Sequence, residues 1–243
     1  MSSYDAIAEL YDPWSASVVE DVAFYLEEAR RSGGPVVELG VGTGRIAVPI
    51  AADGIRVIGI DSSRGMLDVC GRRAALAGVE VDLRAGDLRD PPVSEKVPLV
   101  ICPFRSLLHM HTDEDRRSVL AAARRLLLED GRFVFDVFAP GAADIQATQD
   151  RWLEREPGIY EHAVWDEDER TLTLTVRGRG RETTMALAWL APEEWRALLE
   201  AGGFDVEACY GWFDRSPYAG GEDTVWIAVP RGSGAASATA GAA

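Results

Sequence analysis

The chain has 243 residues, and 40 Asp and Glu against 25 Lys and Arg leave a net charge of −15. With 47% hydrophobic and 27% charged residues it has the composition of a globular protein with a sizeable core, which excludes disorder over most of its length. A surface this acidic is repelled by phosphate backbones and anionic headgroups, which excludes sequence-independent binding to nucleic acid or to a membrane surface.

Over the first 140 residues, short apolar runs alternate with longer stretches of helical spacing, which predicts βαβ units and a parallel sheet. Strands are expected at 35–39, 55–60, 79–83, 97–102 and 131–138. Helices are expected between them at 44–52, 63–77 and 112–128, the last opened by Thr112 with Asp113, Glu114 and Asp115 at the positive end of the helix dipole. After Phe138 the pattern changes: 159–165, 171–176 and 183–190 alternate apolar and polar residues with period two, as in a small antiparallel insert with one wet face. A helix at 192–201, closed by Gly202-Gly203, and strands at 204–212 and 224–229 resume the first pattern. The division expected is therefore residues 1–140 with 191–230 as one domain, 141–190 as an insert, and 231–243, too poor in large apolar groups to fold, as a disordered tail.

Cys70, Cys102 and Cys209 are odd in number and scattered, with neither a disulfide framework nor metal-ligand spacing. No metal and a reducing, cytoplasmic setting are expected. The opening MSSYDAIAEL lacks the form of an export leader, and no apolar run approaches the roughly 20 residues that span a bilayer.

The chemistry is concentrated in Val36-Val37-Glu38-Leu39-Gly40-Val41-Gly42-Thr43-Gly44-Arg45, an apolar strand whose glycines open directly into a helix. Glycines let a ligand lie against the backbone, and the helix start offers free N–H groups to an electronegative partner. The spacing is G-x-G-x-G, with Arg45 where the dinucleotide fingerprint places its last glycine, which argues against NAD. Gly59-Ile60-Asp61 sets a carboxylate about 20 residues further on, where it can take both hydrogens of a ribose diol. Ala85-Gly86-Asp87-Leu88 offers another carboxylate beside a backbone N–H, a pair that can read the amino edge and a ring nitrogen of adenine. Three successive strand ends thus point to an adenosine-type ligand without a pyrophosphate.

On these residues the chain resembles the class I S-adenosylmethionine-dependent methyltransferases. VELGVGTGR resembles the first family motif, GIDSSRGML the second, GDLRD the third, VPLVICPFRSLLHM the fourth and LEDGRFVFDVF the fifth. The resemblance spans roughly 1–140 and 190–230, and YDAIAELYDPW with FRSLLH is most similar to small-molecule members, including nucleotide-sugar N-methyltransferases. It implies a doubly wound, Rossmann-like α/β fold with a seven-stranded sheet of order 3-2-1-4-5-7-6, its last strand antiparallel, and the insert standing over the carboxyl ends of the strands as a cap on the substrate. It also implies S-adenosylmethionine as cofactor, S-adenosylhomocysteine as product and a small metabolite as acceptor of a methyl group on nitrogen or oxygen, in a monomer or homodimer.

Residue by residue, the resemblance implies that Glu38 supports the glycine loop and that Gly40, Gly42 and Gly44 pass under the methionine moiety. Asp61 would bind the ribose, Met66 would lie near the adenine, and Asp87 with the Leu88 N–H would read its edge. Phe104 and Arg105 would border the sulfonium and the acceptor, and Tyr4 and Tyr11 would fold over the donor. His109, just past the fourth strand where related sugar N-methyltransferases also carry a histidine, is the candidate catalytic group, either orienting the acceptor or acting as general base. Trp165 and Trp189 either roof the acceptor pocket or form the insert's own core, and Arg177, Arg179 and Arg181 either grip an anion or line a solvated turn. Two other readings stand beside this one: a regulatory module that binds S-adenosylmethionine without catalysis, and an NAD-dependent oxidoreductase.

Overall fold

The computed structural model describes residues 2–15 and 19–232. Most of the expected tail, residues 233–243, lies outside the described residues.

The chain begins with a 3-10 turn over Ser3–Ala6 and the short helix α1 (Ala8–Trp14), followed by α2 (Glu20–Ser32). The α2 helix ends where Gly33 takes the left-handed conformation, the usual stop for a helix whose next residue lacks a Cβ. Then come β1 (Val36–Leu39), α3 (Ala47–Ala52), β2 (Val57–Asp61), α4 (Arg64–Ala77), β3 (Asp82–Ala85), β4 (Val97–Cys102), α5 (Asp113–Leu126) and β5 (Leu127–Phe138). These strands pair in parallel in the order β3-β2-β1-β4-β5. After the insert, α7 (Pro192–Ala201) and the strands β10 (Phe204–Tyr210) and β11 (Asp223–Pro230) complete a seven-stranded sheet, with β11 antiparallel between β5 and β10. This is the expected order 3-2-1-4-5-7-6 once the insert strands are left out of the count.

Strand residues alternate between two cores, as buried parallel strands must. Val37, Leu39, Ile58, Ile60 and Val100 face a cluster that includes Val119 and Leu120 of α5 and Trp195 of α7. Val36, Val57, Leu99 and Ile101 face Phe24 and Tyr25 of α2 and Cys70 of α4. All three cysteines are free.

Several boundaries differ from the sequence pattern. β3 begins at Asp82 rather than Val79 because its pairing starts at Ile58↔Asp82, and as an edge strand it is only partly buried. β5 begins at Leu127, which pairs with Val97 ahead of a bulge; the exposed Leu128, Glu129 and Asp130 hide that start from a hydrophobicity pattern.

The insert holds α6 (Ala142–Thr148) and a four-stranded antiparallel sheet of β6 (Arg151–Glu156), β7 (Ile159–Asp166), β8 (Thr171–Gly178) and β9 (Arg181–Ala188). Strand β6, RWLERE, has no apolar alternation and takes its place at the sheet edge by antiparallel pairing to β7, so its sequence does not announce it. The inner face carries Leu172, Leu174, Met185 and Leu187, which join the main core cluster. Tyr160, His162 and Val164 share the other face, where His162 stacks on Trp152 with ring centroids 5.0 Å apart.

Candidate functional site

The site lies where the carboxyl ends of the strands meet the N-terminal segment and the inner face of the insert. Its first half is built on β1, β2 and the loop after each. Asp61 closes β2, and its carboxylate accepts from Gly42 N at 2.9 Å and Ser63 N at 2.8 Å, tying the glycine loop to the start of α4. Burial raises the Asp61 pKa, with the backbone donors of Ser63 and Gly42 opposing it. The three glycines separate by what a side chain would meet. A Cβ on Gly44 would stand 2.5 Å from Cys70 Sγ and one on Gly40 2.7 Å from Ser106 Oγ, so protein contacts account for both. Gly42, at φ +53°, faces nothing nearer than a carbonyl oxygen at 4.0 Å and leaves open space for a ligand.

Glu38 is 2% exposed at the foot of this loop, and its Oε2 has no hydrogen-bond partner. Burial holds its pKa well above the ordinary carboxylate range. An orphaned buried acceptor is costly unless a ligand satisfies it. With the opening at Gly42 and the carboxylate of Asp61, it gives a set of acceptors that fits a ligand bearing an ammonium and a ribose, as S-adenosylmethionine does. Arg45, in the place of the fingerprint's last glycine, makes a two-pronged pair with buried Asp21 at 2.7 and 2.5 Å and stacks 4.5 Å from the Phe104 ring centroid.

Asp87 lies at the next strand end, but its carboxylate is engaged by the Arg89 side chain at 2.9 and 2.6 Å and by Arg89 N at 2.8 Å. Leu88 packs at the margin of the core, and Met66 is 2% exposed in the first turn of α4. Asp5 of the N-terminal turn accepts from Ser63 Oγ at 2.6 Å and Gly65 N at 3.1 Å, which lowers its pKa and pins the segment beside Asp61.

The second half is a cavity of about 660 Å³. Tyr4, Tyr11, Trp14, Phe104 and His109 line its inner end, and Trp165 with Leu172, Leu174, Met185 and Leu187 of the insert line its roof. The rings meet edge to face: Tyr4–Tyr11 at 5.9 Å, Tyr11–Trp14 at 5.8 Å and Tyr11–Phe104 at 6.1 Å between centroids. Tyr4 Oη and His109 Nε2 are 2.9 Å apart. Burial pulls the His109 pKa down to about 4, with His111 adding to the effect and the Ala186 carbonyl opposing it. Burial also raises both tyrosines well above their ordinary value, so at neutral pH the ring of His109 is uncharged and both hydroxyls keep their protons.

Trp165 faces the cavity with its Nε1 donating to Thr148 Oγ1 at 2.8 Å, whereas Trp189 stands behind it, 9% exposed, in edge contact at 5.5 Å. Arg105 borders the cavity, paired with Asp223 at 2.7 Å. Arg177 and Arg181 are engaged within the chain: Arg177 stacks 3.8 Å from the Trp152 centroid, and Arg181 donates to the Ala6 carbonyl at 3.2 Å.

Two residues that the motifs do not single out complete the site. Asp136 on β5 is 6% exposed and accepts from Tyr25 Oη at 2.6 Å, Phe104 N at 2.8 Å and Arg105 N at 3.1 Å. It thereby fixes two consecutive residues at φ 54° and 63°, a strained turn that presents the Phe104 ring. Burial raises its pKa to about 6 against those donors. Glu161 on β7 takes Trp14 Nε1 at 2.9 Å and Arg155 at 2.7 Å, clamping α1 to the insert. The signal available for Asp136 was a carboxylate inside an otherwise apolar buried strand; Glu161 gave none.

Residues 36–131 match the model of the methyltransferase domain family. A Geobacillus sp. (strain WCH70) protein, provisionally assigned as a methyltransferase, is 24% identical over 230 residues, covering 90% of this chain and 92% of its own. The solved structure of the CcbJ methyltransferase from Streptomyces caelestis superposes with a TM-score of 0.83 at 26% identity, over 95% of this chain and 98% of that one. The sugar N-methyltransferase KedS8 from Streptoalloteichus sp. ATCC 53650 shares the fold at 17% identity, with a TM-score of 0.66 over 91% and 92% of the two chains.

Proposed function

We propose, from the methyltransferase-domain match over residues 36–131 and the fold shared with the CcbJ methyltransferase and an S-adenosylmethionine-dependent methyltransferase from Clostridium acetobutylicum, that this chain is a class I S-adenosylmethionine-dependent methyltransferase, a cytoplasmic enzyme that methylates an amine nitrogen of a small metabolite. The residues of the first half fit the cofactor: Asp61 holds the ribose, Glu38 answers the methionine ammonium, Gly42 gives room for the chain between them, and Asp87 with Leu88 borders the adenine. When bound, S-adenosylmethionine supplies a sulfonium methyl group that a nucleophile takes up, leaving S-adenosylhomocysteine.

The observation that supports nitrogen is the aromatic box closed by an uncharged histidine. Tyr4, Tyr11, Trp14 and Phe104 surround the inner cavity, and aromatic faces favour a cationic centre. An amine that has arrived unprotonated becomes an ammonium on accepting a methyl group, so one positive charge stays within the box throughout and its proton leaves later to water. An alcohol must surrender its proton during the transfer, and His109, at about 4, is too weak a base to take it efficiently near neutral pH. His109 is therefore a positioning residue. With the His109 proton on Nδ1, the Tyr4 hydroxyl donates to Nε2 across their 2.9 Å contact, which leaves the tyrosine oxygen to accept an N–H of the acceptor. Asp136 holds Phe104 and Arg105 at the inner wall, and Trp165, backed by Trp189, closes the acceptor side. Alignment and exclusion of water, with segment 141–190 as the cap, supply most of the acceleration.

The test is incubation with S-adenosylmethionine and matched amines and alcohols, followed by mass spectrometry of the products. N-methyl products alone are expected; methylation confined to hydroxyl groups contradicts the reading.

A further inference from the structure

We propose that the acceptor is a free, unphosphorylated molecule that enters the cavity as a cation, recognised by Asp144 and Glu222, and that a nucleoside-diphosphate-linked amine is rejected. This rests on the methyltransferase reading and adds the acceptor's charge class to it.

The cavity lining carries four carboxylates, Asp144, Glu154, Glu161 and Glu222, against two guanidiniums, Arg105 and Arg155. Both guanidiniums are already committed. Arg105 pairs with Asp223 at 2.7 Å and lies 4.6 Å from the Phe138 ring centroid, while Arg155 places two nitrogens on Glu161 Oε1 at 3.0 and 2.7 Å. A diphosphate entering here would have to pull one of them from its carboxylate while facing the remaining acidic groups. The cavity margin also holds two consecutive backbone N–H groups in left-handed residues, Phe104 and Arg105, a conformation that makes an anion-binding nest. Asp136 fills that nest with both its oxygens, so no backbone site remains there for phosphate.

The carboxylates are differently disposed. Glu161 is taken by Arg155 and Trp14, and Glu154 accepts from Gly158 N at 2.8 Å. Asp144 and Glu222 converge: a Cβ on Gly141 would stand 3.2 Å from Asp144 Oδ2 and 3.5 Å from Glu222 Oε1. Asp144 holds only the N–H of Gly141, at 3.2 Å, and no cation among the described residues forms an ion pair with either side chain. Two like charges facing one small space at the wall of a cavity favour a cation between them. A second polar group lining the cavity is independent of this pair. Ser15 is 4% exposed, and its buried hydroxyl has no partner, so a ligand hydroxyl or amine would satisfy it. The acidic mouth thus draws in an ammonium, and the aromatic box beyond it receives the amine once its proton is lost to water.

The experiment compares the methyl glycoside of glucosamine with UDP-glucosamine, which share the amine, for binding to the full chain loaded with S-adenosylhomocysteine, by saturation-transfer NMR. The glycoside is expected to bind about tenfold more tightly or better, and to weaken as salt rises. Glu222→Lys is expected to weaken the glycoside and reduce or reverse the preference, while S-adenosylhomocysteine affinity stays unchanged. Tighter or equal binding of UDP-glucosamine, no binding of either probe, or a preference untouched in Glu222→Lys would overturn the proposal. Failure of S-adenosylhomocysteine to bind would instead strike the methyltransferase reading itself.

Discussion

The two halves of the site are built in opposite ways. The cofactor half lies within the 50 residues from Glu38 to Asp87, each group at or just past the end of one strand and near in sequence to its partners, as Asp61 is held by Ser63 of its own motif and Gly42 of the preceding one. The acceptor half is assembled from distant segments: Tyr4 meets His109 across 105 residues, Trp14 meets Glu161 across 147, and Thr183 meets the Ser3 carbonyl across 180. On the proposed function, a rigid sheet terminus presents the adenosyl ligand, and a wall of separable pieces chooses the acceptor. That division lets one fold keep its donor and change its substrate.

The sharpest way to break the comparison is at Asp136, the residue that joins the halves. Asp136→Ala leaves Tyr25 Oη and the N–H groups of Phe104 and Arg105 without their buried acceptor. It should cost about 4 kcal/mol in denaturant unfolding, and a loss below about 1 kcal/mol would show that the turn holds itself.

Next is Asp61→Ala, which should weaken S-adenosylhomocysteine binding about 100-fold, or roughly 2.7 kcal/mol, while leaving the aromatic box intact. Calorimetry on the folded variant reads this directly.

The third test is pH. The His109 pKa lies near 4 in the folded chain and near 6.5 in an unfolded one, so unfolding takes up a proton between those values. Its contribution to stability is present above about 6.5 and lost as pH falls toward about 4. The wild type should lose about 2 kcal/mol between pH 7.5 and pH 5 beyond any loss in His109→Asn. Asp136, raised to about 6, works in the opposite sense, its stabilising contribution disappearing as pH rises through that value, so the comparison must be made against the His109 variant. Equal pH profiles for the two proteins would mean that His109 titrates normally.

The smallest effect is expected at Asp87, whose carboxylate is shared with Arg89 and 47% exposed. Asp87→Ala should weaken cofactor binding several-fold, about 1 kcal/mol, and a loss as large as that of Asp61→Ala would show that the Arg89 pair opens for the ligand.

What the sequence disclosed follows the same divide. The strands, and the places of the carboxylates at 38, 61 and 87 at or just past their ends, were legible because strand periodicity and short glycine spacing report geometry within a few residues, whereas the sheet order came with the family resemblance. The same spacing did not separate Gly42, which faces open space, from Gly40 and Gly44, whose missing side chains make room for Ser106 and Cys70. Glu161 and the convergence of Asp144 with Glu222 were hidden, because each acts through contacts set by the tertiary fold, and Asp136 showed only as a carboxylate within an apolar strand, its partners set by that same fold. Strand β6 was hidden for a related reason, being placed at the sheet edge by its pairing with β7 and not by an apolar pattern of its own.

The most direct measurement is calorimetric titration of S-adenosylhomocysteine into the wild type, Asp61→Ala and Glu222→Lys. The account predicts binding to the wild type, a loss of about 100-fold in the first variant and no change in the second. No binding to the folded wild type, or equal affinity in Asp61→Ala, would contradict it.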